Sequence, residues 1–89
     1  YGAEAKYLVA QQLYKAGEYT AAEKEILNFI DQSTPHAYWL ARSFVLLSDV
    51  YVAMDKKLDA RQYLLSLQQN YHADDDIEQM INERLEKLK

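Results

Sequence analysis

Residues 9–22 read VAQQLYKAGEYTAA and residues 47–60 read LSDVYVAMDKKLDA. Shifted by 38 positions, the two stretches pair Val9 with Leu47, Ala10 with Ser48, Leu13 with Tyr51, Gly17 with Asp55 and Ala22 with Ala60. The pairing continues outward, with Ile26-Leu27 on Leu64-Leu65 and Phe29 on Leu67. Internal likeness at such a period marks a supersecondary unit that cannot bury its apolar face alone and stacks on a copy of itself. A further shift of 34 positions brings Leu47 onto Ile81, Tyr51 onto Leu85 and Met54 onto Leu88. The last segment therefore reads as the first helix of an unfinished third unit. The extra residues of the first spacing fall around Ser33 to Leu40.

Apolar residues recur at helical spacing almost throughout. The stripes are Ala5, Val9, Leu13 and Ala16; Ala22, Ile26, Phe29 and Ile30; Leu40, Phe44, Leu47, Ser48, Tyr51 and Met54; Ala60, Leu64, Leu67 and Tyr71; and Ile77, Ile81, Leu85 and Leu88. No stretch alternates at period two, so no strand is expected. Gly17 suits the left-handed position that ends a helix, and Asp55 stands at its equivalent. Thr34-Pro35 reads as a cap followed by a first-turn proline. The run Asp74-Asp75-Asp76 opens the last helix and Lys87 and Lys89 close it, each with the sign that the helix dipole favours. Short connections then make consecutive helices antiparallel.

Composition narrows the function classes. Cysteine is absent, which excludes disulfides and thiolate metal sites. Two glycines and one proline leave little turn chemistry for a sheet. The net charge of -4 argues against nucleic acid and against a polybasic membrane patch. No apolar run approaches the roughly 18 residues of a membrane span. The chain does not begin with methionine, and we expect a processed protein or a segment of a longer one.

Residues 9–22, and residues 47–60 with them, resemble a tetratricopeptide repeat. The resemblance implies an all-α fold, a right-handed α-α superhelix of two helical hairpins and a C-terminal capping helix. The whole chain, residues 1–89, is then one domain: repeat one over about 3–33, repeat two over about 36–71 and the capping helix over about 74–88. It also assigns the small residues: Ala10 and Ser48 where neighbouring first helices touch, Ala22 and Ala60 where the two helices of a hairpin cross. Lys6, Lys57 and His72 depart from the family pattern, which favours tryptophan, an aromatic and proline there. A narrower likeness, carried by residues 64–71 and 84–88, is to the C-terminal ends of bacterial cell-envelope proteins of this class, and it implies a periplasmic location.

Function in this family is protein binding without catalysis, and the resemblance places it on the concave face lined by first helices. Tyr7, Gln11 and Tyr14 share one face of the first helix, while Arg42, Val45, Asp49 and Val52 occupy the matching face of the third. A tyrosine row offers large contact area at low entropy cost, with a hydroxyl to satisfy. The expected ligand is a peptide or protein segment with apolar anchors and a basic residue meeting Glu4 or Asp49. Tyr38 and Trp39 form a second candidate patch. The alternative is a homo-oligomerisation module that pairs through its first helix.

No cofactor is expected. His36 and His72 lack the helix-face partners that a metal site needs, so no metal is expected either. Asp74-Asp75-Asp76 lacks the remaining ligands of a calcium loop. A small hydrolase using Ser33, His36 and Asp31 is the remotest reading, since the three crowd one turn without oxyanion donors.

Overall fold

The computed structural model describes residues 2–31, 37–73 and 75–88, and within them the chain is all-helical: α1 (Ala3–Lys15), α2 (Tyr19–Asp31), α3 (Ala37–Ala53), α4 (Lys57–Asn70) and α5 (Ile77–Lys87). No strand occurs among the described residues. Thr34-Pro35, Ser33, His36 and Asp74 lie outside them.

The two hairpin turns are the same device written twice. After α1, the Glu18 N–H donates to the Leu13 carbonyl at 2.9 Å and the Gly17 N–H to the Tyr14 carbonyl at 3.1 Å. After α3, the Lys56 N–H donates to Tyr51 at 2.7 Å and the Asp55 N–H to Val52 at 3.1 Å. Each pair closes the helix through a residue of positive φ, 81° at Gly17 and 62° at Asp55. All four hydrogen-bond positions of the first turn map onto the second by the 38-residue shift. An L-residue in this conformation is strained, aspartate less than most. Asp55→Gly is therefore expected to raise stability by up to about 1 kcal/mol, read as a higher Tm, whereas Gly17→Ala should lower it by a similar amount. Nothing lies within 4 Å of a Cβ placed on Gly17, so that loss would be backbone strain without a clash.

Helix order in space follows helix order in sequence. Each helix packs on its sequence neighbours, and α3 also touches α1 and α5, so these three line up while α2 and α4 remain apart from each other. As the middle element, α3 is buried nearly all round, at Ala41, Ser43, Val45, Leu46, Leu47, Ser48, Val50 and Tyr51. Its two buried serines are satisfied by their own helix, Ser43 Oγ on the Trp39 carbonyl at 2.8 Å and Ser48 Oγ on Val45 at 2.6 Å. Ala22 and Ala60 are wholly buried in one cluster with Ala10, Ile26, Leu46, Leu47 and Val50. A second cluster holds Ala41, Val45, Leu64 and Leu67 under Ile77 and Ile81 of α5.

The stripe expected on α1 is not the one buried. Ala5, Val9 and Ala16 are exposed and Leu13 is half-buried, while Tyr7 and Ala10 are the buried positions. The physical reason is position in the array. α1 is covered by α2 and α3 on one side only, so the residues turned away from them stay in solvent however apolar they are.

The acidic turn before α5 works through Asp75 and Asp76. Asp75 Oδ1 accepts the Ile77 N–H at 3.0 Å, satisfying an orphan amide of the first turn. Its other oxygen accepts the Tyr71 hydroxyl, and Asp76 accepts the Tyr38 hydroxyl at 2.9 Å. Burial, then these hydrogen bonds, push both phenols up, that of Tyr71 to about 12. Both therefore stay neutral donors through the physiological range, and they pin α5 to α3 and to the end of α4.

Candidate binding groove

α1, which carries Tyr7, Gln11 and Tyr14, and α3, which carries Arg42, Val45, Asp49 and Val52, pack against each other. These residues differ sharply in access. At one end the groove is closed. Tyr7 is 6% exposed and Val45 3%. The Arg42 guanidinium lies 4.8 Å from the centre of the Tyr7 ring, 5.6 Å from that of Trp39 and 5.9 Å from that of Tyr38. Tyr7 and Trp39 are themselves 5.5 Å apart, and Tyr38 meets Trp39 edge-on at 5.3 Å. A cation over aromatic faces is attracted by their quadrupoles. This knot of one arginine and three rings thus fastens α1 to α3, and Tyr7 is a packing residue where the sequence placed it in an open row.

In the middle the groove is crossed by an ion pair. Arg84 of α5 donates from Nε to Asp49 Oδ1 at 2.8 Å and from Nη2 to Oδ2 at 3.0 Å, and Nη1 reaches the Met80 carbonyl at 3.2 Å. Burial alone would lower the guanidinium pKa, but the hydrogen bond and charge of Asp49 outweigh it, so the net shift is upward. Both side chains are more than two-thirds buried. The fork geometry fixes the rotation of α5 against α3, which a lysine would not do. Asp49, expected to meet a basic residue of a ligand, instead has its charge taken up inside the fold.

At the far end the groove is open, with a volume of about 550 Å³. Its lining brings Tyr14, Val52, Ala53 and Lys57 together with Glu83, Lys87 and Leu88, and it includes the buried Ser48 and Leu64 and the Asp49–Arg84 pair. The Tyr14 ring stacks obliquely on Tyr19 at 5.8 Å. Its phenol is pushed up first by burial and next by the Asp49 charge, so at neutral pH it presents a hydroxyl and no charge. Gln11 is half-buried beside it. The candidate residues therefore divide into a closed set (Tyr7, Arg42, Val45), a bridged one (Asp49) and an open one (Tyr14, Val52, with Gln11 at the margin).

Sequence reading missed Arg84, Lys87 and Leu88 as groove residues. A signal was there. The 34-residue shift lays Leu47 on Ile81 and Tyr51 on Leu85, which brings Asp49 within one position of Arg84, opposite charges on adjoining helices.

Of the remaining polar candidates, Ser33, His36 and Asp74 lie outside the described residues. His72 is exposed, with Nε2 at 3.0 Å from the Gln69 carbonyl, and Asp31 is exposed at the end of α2. Among the described residues no three acidic or histidine side chains come together as metal ligands, and no helix is long and apolar enough to cross a membrane. No protein-family model, curated protein or solved structure matches the chain.

Proposed function

We propose that this chain is a non-catalytic protein-interaction module of the tetratricopeptide type, the terminal part of a longer repeat protein, which holds a peptide or protein segment on the face lined by α1, α3 and α5. The observation that carries the reading is the open end of the groove. Its lining mixes the apolar Val52, Ala53, Leu64 and Leu88 with Tyr14 and with the charged Asp49, Lys57, Glu83, Arg84 and Lys87. Such a mixture of apolar and polar groups suits a short segment with one or two apolar anchors. The repeated turns and the alternation of lining and outer helices support the superhelical arrangement that the reading assumes. The groove asks no residue to move a proton or form a bond.

The test is selection of short peptides from a displayed random library, followed by amide shift mapping on the isotope-labelled chain. Selected peptides should perturb Tyr14, Val52, Lys57, Arg84 and Leu88. Val52→Arg should weaken them about tenfold or more while leaving Tm unchanged, since Val52 is already exposed. Peptides that map elsewhere, or that bind the arginine variant equally well, would refute the assignment.

A further inference from the structure

Charge at the open end of the groove runs against that of the chain. The lining holds three cations, Lys57, Arg84 and Lys87, and two carboxylates, Asp49 and Glu83, in a chain of net charge -4. The fold has already used part of this set. Asp49 and Arg84 are joined by two hydrogen bonds and cancel each other. The Ser48 hydroxyl donates to the Val45 carbonyl, and Glu83 accepts Gln79 Nε2 of its own helix at 3.1 Å. Lys57 and Lys87 are left over. Both are exposed, and among the described residues neither amine comes within ion-pair distance of a carboxylate. Tyr14 adds a phenol that stays neutral, so its hydroxyl is also available to donate.

We infer that the segment held in this groove is acidic, with an aspartate or glutamate side chain that meets Lys57 and Lys87 beside an apolar anchor that meets Val52, Ala53 and Leu88. The inference rests on the groove reading above and reverses the ligand charge that the sequence implied. There, a basic residue was to meet Glu4 or Asp49. Glu4 is not part of the lining, and the basic partner of Asp49 is Arg84 of the chain itself. A basic ligand residue would have to break a two-pronged pair that is more than two-thirds buried, and it would approach two amines of its own sign. A carboxylate meets the opposite situation. It offers only acceptors, and the ammonium groups and the phenol offer donors. Exposed ion pairs contribute little one at a time. Here the anchor supplies the affinity, and the two lysines reject segments of the wrong sign. Lys57 opens α4 and Lys87 closes α5, so a carboxylate that engages both also ties those two helices together.

The experiment takes the peptides that a displayed random library yields on the full chain, synthesised with amidated C-termini, and keeps those that shift the Val52 and Leu88 amides. These should be enriched in aspartate and glutamate over the starting library and depleted in lysine and arginine. Replacing the acidic residue by its amide should weaken binding about tenfold or more. Lys57→Glu and Lys87→Glu should each weaken it several-fold, and the double variant should select basic peptides instead. Lys24→Glu makes the same change of charge at an exposed site of α2 outside the groove and should leave binding unchanged. All three lysines are exposed, so Tm should stay close to that of the parent throughout. Groove-bound peptides without acidic enrichment, or equal binding by the Lys57→Glu and Lys87→Glu chains, would overturn the inference and leave the groove reading standing. A requirement for a free C-terminal carboxylate would overturn it too, as would a concentration-dependent mass of the parent that the double variant abolishes, which would give the groove to a second copy. A library that yields no peptide shifting Val52 and Leu88 would overturn both readings.

Discussion

A chain ended at residue 73 is expected to lose its cooperative thermal transition and to scatter light on mild warming. Removing α5 withdraws Ile77 and Ile81, 0% and 2% exposed, from the cluster of Ala41, Val45, Leu64 and Leu67. Each buried isoleucine contributes roughly 1.5–3 kcal/mol by transfer alone. The loss of both is comparable with the few kcal/mol of net stability that a domain of this size commands. Asp49 simultaneously loses its bidentate guanidinium partner. Ile81→Ala supplies a graded version, with an expected loss of about 2–5 kcal/mol in denaturant melts. A truncated chain that stays monomeric and melts with the parent would show that α5 is an appendage. The apolar surface uncovered would centre on Val45 and Leu64. Leu47 belongs instead to the cluster on the α2 side.

Ala22→Leu and Ala60→Leu are each expected to cost about 1–3 kcal/mol, because neither alanine exposes any surface and a leucine there must push two helices apart. For a domain of this length that corresponds to a fall in Tm of roughly 4–24 °C. The neighbouring Ala21 is the control. It sits one position away on the same helix but is exposed, and Ala21→Leu should stay within about 0.5 kcal/mol of the parent. Equal melting of the Ala21 and Ala22 variants would mean that the hairpin crossing lies elsewhere on α2.

Four of the five apolar stripes were legible because periodicity reports which residues can be buried, and α2 to α5 each find cover for that face. On α1 the same signal misled. Val9 belongs to a stripe that matches buried Leu47, yet the stripe has no neighbour, and the helix instead buries Tyr7, whose ring can go inside while Arg42 covers its face. Periodicity sees one helix at a time and cannot count its neighbours. The hairpin turns were readable at Asp55 as well as at Gly17, since aspartate tolerates the left-handed region and the repeat fixed its position. The groove was half-legible. Its two helices and their facing residues follow from the 38-residue register, but its closure by Arg42 and its crossing by Arg84 depend on side chains that reach between elements distant in sequence.

The sparseness of helix contacts described above also bears on how the chain reaches this structure. Every pair of helices in contact is at most two elements apart in the sequence. Loops that must close before a contact forms are therefore short, and the entropy lost in closing them is small and is recovered at once. The helices can assemble in the order in which a ribosome releases them. α1 and α2 close first through the Gly17 turn, α3 lies down on them, and each later helix meets a partner already in place. Nothing needs to wait for the C-terminus except the covering of Val45 and Leu64, which makes the arrival of Ile77 and Ile81 the final, committing step.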